Sequence, residues 1–159
     1  MKHLPKHLQP RWRYLAVHLE TWPDADLDQG TFQRHLWYSA QNLLGDTGSA
    51  ELDLSVMRFQ FAGATGKAIV RVRRNDTDRA RAVLACLDRI DGSSVGLRVA
   101  GESGTIRACE EKYMGHGPEQ PDKRYVAFGG AKLSAFVRGP RVDIETDEAF
   151  AGATNLDLQ

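Results

Sequence analysis

Across residues 11–99 the apolar side chains change spacing repeatedly, from every second residue to every third or fourth and back, and this succession leaves few folds open. Residues 11–21 alternate, with Arg13, Leu15, Val17 and Leu19 on one face and Trp12, Tyr14, Ala16 and His18 on the other. That is the pattern of a strand. After a Pro23-Asp24 turn, Phe32, Leu36, Ala40 and Leu43 recur at helical spacing behind a capping Asp28, and Gly45 is placed to stop the helix near Leu44. Residues 52–61 predict a second strand, with Leu54 and Val56 on one face and Met57, Phe59 and Phe61 on the other. A turn at residues 63–66 leads into a third strand over residues 67–74, giving an antiparallel hairpin. Asn75 or Asp76 then caps a second helix with a buried stripe of Ala80, Val83, Leu84, Leu87 and Ile90, ended by Asp91-Gly92. Val95, Leu97 and Val99 alternate through a fourth strand.

The order βαββαβ predicts an α+β domain of ferredoxin-like, RRM-like form: an antiparallel sheet with both helices on one face and the first and third strands at its centre. On the third strand Ala68, Val70 and Val72 face the core, while Lys67, Ile69, Arg71 and Arg73 face away. Trp12 and Tyr14 are thereby expected beside Arg71 and Arg73 on the helix-free face. Single-stranded RNA readers of this topology combine aromatic rings that stack bases with cations that meet phosphates. Arg71, Arg73 and Arg74 are therefore the leading RNA-binding candidates, followed by Arg11, Arg13, Tyr14, Arg107 and Lys112. A plainer reading stays open, in which strand arginines merely solvate an outer face. The same face is assigned Met57, Phe59, Phe61 and Ile69, too apolar a set to be left in water, so these four are read as a partner interface. Part of the cover is expected from a short third helix over residues 103–113, capped by Ser103 or Thr105, with Ile106, Cys109 and Tyr113 on one side.

Residues 1–10 read as a basic arm, 11–114 as the domain, 115–122 as a linker, and 123–159 as a β-rich extension ending in an acidic tail. In that extension Gly129-Gly130 signals a hairpin between residues 124–128 and 132–138, and residues 142–145 add a short strand. The tail is expected either to be disordered or to dock on the basic body. The chain holds 21 bases and 21 acids, but residues 143–159 carry five acids and no base. The remainder is thus positive, as suits a nucleic-acid partner. Cys86 and Cys109 lie in helical segments without metal spacing and read as small core residues. His3 and His7 are four apart, but Pro5 lies between them and no third ligand is near, so no metal site is expected. No signal peptide or long apolar span is present, which suggests a cytoplasmic protein without membrane contact. No nucleophile elbow, P-loop, zincin or dinucleotide motif occurs, and no catalytic residue is assigned.

Three segments carry a family resemblance: Pro10-Arg11-Trp12-Arg13-Tyr14-Leu15, Ile69-Val70-Arg71-Val72-Arg73, and Ser103-Gly104-Thr105-Ile106-Arg107-Ala108-Cys109 with Lys112-Tyr113. Together they resemble the archaeal ribonuclease P protein component 2 family over residues 1 to about 114, with the extension resembling the longer members from halophilic archaea. The resemblance implies a subunit of the ribonucleoprotein that removes the 5′ leader from precursor tRNA, supporting the folding and activity of its catalytic RNA. It implies ribonuclease P RNA, ribonuclease P protein component 3, other protein subunits and precursor tRNA as partners. It also implies that the protein binds no cofactor itself and that Mg²⁺ resides on the RNA. Read without the resemblance, the residues also allow a general RNA-binding module or a regulatory ferredoxin-like domain that binds no RNA.

Overall fold

A computed structural model describes residues 4–115 and 120–158. His3, half of the histidine pair weighed above, lies outside these residues. The chain folds into two antiparallel sheets with helices on the first. The five-stranded sheet runs in the order β2-β3-β1-β5-β4, formed by β1 (Trp12–Thr21), β2 (Ser55–Ala62), β3 (Thr65–Arg73), β4 (Arg89–Ile90) and β5 (Ser93–Ser103). As expected, β1 lies centrally, between β3 and β5. The helices α1 (Gln29–Leu52) and α2 (Thr77–Cys86) cover one face, where Leu15, Val17 and Leu19 meet Val70 and Val72 of β3, Phe32 and Leu36 of α1, and Val83 and Leu84 of α2.

Asp28 caps α1 as read, its carboxylate accepting from the Thr31 amide at 2.8 Å. Gly45 does not end the helix. Its backbone leaves the helical region (φ 74°, ψ 176°), kinking the chain, after which helical structure resumes to Leu52. The second strand accordingly begins later than expected. The α2 helix is shorter than its apolar stripe suggests: Leu87 turns extended and Ile90 joins β4. Asp91 and Gly92, both with positive φ (47° and 79°), form the two-residue turn of a β4–β5 hairpin, for which an Asp-Gly pair is well suited.

The largest correction concerns β2. Register against β3 shifts between Val56 and Arg58, so Met57 is the extra residue of a bulge. Beyond it every side chain changes face. Phe59 pairs with Ala68 and Phe61 with Gly66, and both rings pack into the helix-side core, Phe59 lying 5.6 Å from the Phe32 ring. Phe59 and Phe61 therefore do not share a face with Ile69. Of the four expected there, Met57 and Ile69 remain, and Ile69 is fully buried.

Its cover is the third helix. This is α3 (Ile106–Cys109), continued by a π-helical turn over Glu110–Met114 and capped by the Thr105 hydroxyl, which accepts from the Ala108 amide. Ser103 instead ends β5. Beneath this helix Ala16, Ile69, Cys109 and Met114 form a second small core with Tyr14, Met57 and Tyr113. Burial pushes the Cys109 thiol up to about 11, which keeps it protonated and unreactive. Cys86, expected in the core, is exposed.

The extension is ordered. β6 (Asp122–Phe128), β7 (Ala131–Arg138), β8 (Arg141–Glu145) and β9 (Phe150–Thr154) form a meander around Val126, Ala135, Val142 and Ile144. Its first turn is Gly129-Gly130, as read, with φ of 59° and 81°. The acidic segment is largely absorbed into this sheet, and Asp143 is buried against Arg138. Trp22 stacks on Phe150 at 5.9 Å, Arg141 pairs with Glu20, and Arg138 donates to the Ala64 carbonyl, so the second sheet rests on the end of the first.

Candidate nucleic-acid interface

Antiparallel pairing of β1 with β3 sets Trp12 opposite Arg73 and Tyr14 opposite Arg71. Side chains directly opposite one another share a face. The guanidinium carbons of Arg71 and Arg73 lie 3.9 Å and 4.1 Å from the centre of the Trp12 ring. Each is a cation–π contact that fixes a flexible side chain without neutralising its charge. One aromatic plate and two cations are thus assembled by strand register alone.

The two arginines differ in what they hold. Arg73 donates to Asp53 Oδ2 at 3.2 Å, a partly exposed ion pair that satisfies part of its fork. Arg71 has no carboxylate within ion-pair distance among the described residues, and its Nε is buried without a hydrogen-bond acceptor. That donor is enclosed, and leaving it unsatisfied costs about 1–3 kcal/mol, whereas the guanidinium as a whole, paired with no carboxylate among the described residues, keeps its full charge for an anion. Arg71 is the strongest anion-binding candidate in the domain.

Arg11 and Arg74 meet beside this plate, the Arg74 amide donating to the Arg11 carbonyl at 3.0 Å. They line a groove of about 610 Å³ together with His7, Arg73 and Asn75. Two acids also border it, Glu51 and Asp76, but Arg79 holds both at 3.0 Å and 3.3 Å. Arg11 and Arg74 are therefore left facing solvent with little local neutralisation, while Arg73 keeps Asp53 as its partner.

The remaining candidates stand elsewhere. Tyr14 packs in the small core under the third helix, so the ring in contact with the arginines is Trp12, both residues being half-buried. The Arg13 guanidinium lies against the backbone at Gly104, where a Cβ would sit 2.7 Å from its nitrogen. Arg107 and Lys112 lie exposed on the third helix, Arg107 paired with Glu111 at 2.8 Å. Sequence reasoning left Trp12 out of the binding set and missed the Arg79 clamp. The Trp12 contact was available from the expected antiparallel pairing of the two central strands, whereas the clamp joins side chains of the two helices that strand patterns do not register.

Further along β1, His18 ties strands to helix. Arg98 donates to Nδ1 at 2.9 Å and Nε2 lies 3.4 Å from the Tyr113 carbonyl. A ring nitrogen that accepts from a guanidinium carries no proton, so the contacts describe a neutral imidazole donating from Nε2. Burial, with the Arg98 and Lys67 charges, lowers its pKa, against an opposing pull from the Tyr113 carbonyl. Lys67 donates to the neighbouring Met114 carbonyl at 2.9 Å. Among the described residues no group of three or more His, Cys, Asp or Glu is placed to hold a metal, and no helix is long and apolar enough to cross a membrane.

The profile of the Rpp14/Pop5 family matches residues 13–114. Ribonuclease P protein component 2 of Haloarcula marismortui is 58% identical, with 100% of both chains covered. The protein of the same name from Natronomonas pharaonis is 56% identical over 100% of this chain and 99% of its own. That of Methanosarcina mazei is 33% identical over 72% of this chain, yet the match takes in 93% of the relative. The second sheet is thus matched along the first two relatives, while the third has little length left to supply one.

Proposed function

The chain belongs to the Rpp14/Pop5 family, and from that membership we infer that it is a protein subunit of ribonuclease P, the ribonucleoprotein that cleaves the leader from precursor tRNA. The observation in the fold that supports an RNA-facing role is the Trp12 plate flanked by Arg71 and Arg73, with Arg71 paired to no carboxylate among the described residues. The five-stranded sheet, with β1 and β3 inside it and two helices on one face, reads as the ferredoxin-like arrangement. Its helix-free face is divided: the third helix occupies one part, and Trp12 with the arginine groove forms the part open to RNA.

In this proposal the protein positions and the RNA reacts. Arginines on a rigid sheet neutralise phosphates that would otherwise repel one another, holding the catalytic RNA compact. Mg²⁺ sits on the RNA, and no proton transfer is assigned to a protein side chain. Ribonuclease P protein component 3 and other protein subunits are the proposed protein partners, in a cytoplasmic assembly. With Phe59 and Phe61 turned into the helix-side core, a partner surface is better sought around Met57 and the exposed Trp37, Tyr38 and Leu43 of α1. The test is reconstitution. Omitting this chain from the enzyme assembled with its RNA and partner proteins should lower precursor tRNA cleavage at limiting Mg²⁺, with partial recovery at high Mg²⁺. An unchanged rate at every Mg²⁺ concentration would contradict the assignment.

A further inference from the structure

The second sheet carries its own arrangement of rings and cations. In the β6–β7 pairing Lys123 stands opposite Phe136, Tyr125 opposite Ser134, and Ala127 opposite Lys132. These residues share one face, and the small core of Val126, Ala135, Val142 and Ile144 occupies the other. Tyr125 is 70% exposed, so its ring contributes little to the core behind it. Lys132 Nζ lies 5.6 Å from the Tyr125 ring centre, and Lys123 Nζ lies 5.2 Å from that of Phe136. The arginines of this face are already neutralised, Arg138 by Asp143 and Arg141 by Glu20. Among the described residues neither lysine has a carboxylate partner. Phe136 meets Phe150 edge-on at 6.2 Å, and Phe150 stacks on Trp22, so the rings form a row leading back to the end of β1.

We propose that the Lys123, Tyr125, Lys132 and Phe136 face of the second sheet binds single-stranded RNA, a contact separate from the Arg71 surface. It rests on the RNA-binding reading above. The occupant follows from chemistry: the exposed Tyr125 ring offers a face to an unpaired base, and the ammonium groups beside it and beside the half-buried Phe136 meet the phosphates that a splayed strand brings with it. Duplex RNA would present no base faces to these rings. Stacking is also the contact that salt erodes least, since at 1 M the screening length is only about 3 Å.

The experiment measures anisotropy of a labelled 12-nucleotide uridine RNA with the full chain, at low and at 1 M KCl. Tyr125→Ala is expected to weaken binding by about 5- to 150-fold, the range for loss of one stacking ring, with the loss persisting at 1 M KCl. Lys123→Ala with Lys132→Ala should weaken binding at low salt only. A 4-thiouridine probe should crosslink to the peptide containing Tyr125. Undiminished affinity in Tyr125→Ala, with Arg71→Ala and Arg73→Ala still weakening it, would overturn the proposal and leave the subunit assignment standing. Impaired assembly with partner proteins at unchanged RNA affinity would make this face a protein dock and also overturn it. Failure of the parent chain to bind either this probe or ribonuclease P RNA would remove the RNA-binding reading itself.

Discussion

At Gly101 an added Cβ would lie 2.2 Å from the Tyr113 ring, closer than side chains approach. The third helix can seat its aromatic residue on β5 only because that position lacks a side chain. Gly101→Ala should therefore destabilise the chain by about 1–3 kcal/mol in urea unfolding, the range for overpacking a filled site. Tyr113→Leu should recover part of the loss in the double variant. Phe59 makes a second test of packing. Because its ring lies on Phe32 and is only partly exposed, Phe59→Ala should cost about 1–3 kcal/mol, below the ~3–5 of a fully buried phenylalanine. Leu84→Asp, at the centre of the helix-side core, should abolish folding altogether.

Among the elements, the third helix is held by a contact whose strength depends on a titrating ring. His18 accepts from Arg98 and faces the Tyr113 carbonyl, a pair of contacts that only the neutral ring can make. Its pKa lies below the ordinary 6.5, chiefly through burial, so the folded chain takes up this proton less readily than the unfolded chain. Stability from this site is complete above that value and falls as acidification passes from it toward the folded pKa. Melting temperature should drop over that interval, and His18→Gln, which keeps a donor and an acceptor but does not titrate, should flatten the drop. The same element shows what periodicity reveals. Ile106, Cys109 and Tyr113 fall on one side of a short helix, and their burial against β1 and β5 follows the expected stripe. The two-period of β2 misled because one extra residue at Met57 inverts every later side chain, and a bulge leaves no mark in a pattern where both faces are apolar. Gly45 is similar: a kink and a stop demand the same residue, and only contacts beyond it decide between them.

For the whole molecule, the βαββαβ succession, the central place of β1 and the joining of Trp12 to Arg71 and Arg73 could be read from alternation and the pairing that this order favours, whereas the short β4 and the closing β9 were not. The docking of the second sheet could not, because Trp22 on Phe150 and Arg141 on Glu20 join residues more than a hundred positions apart. Trp22→Ala should raise amide exchange across residues 150–154 while leaving β1 and β3 protected, since the second sheet keeps its own core. The claim on which the account turns is that the Arg71 and Arg73 surface meets RNA phosphates. The most direct measurement is the salt dependence of affinity for ribonuclease P RNA, compared between the parent chain and a folded Arg71→Ala, Arg73→Ala variant. The account predicts weaker binding and a log–log slope shallower by roughly 0.7–0.9 for each lost phosphate contact. An unchanged slope in a variant with parental stability would contradict it.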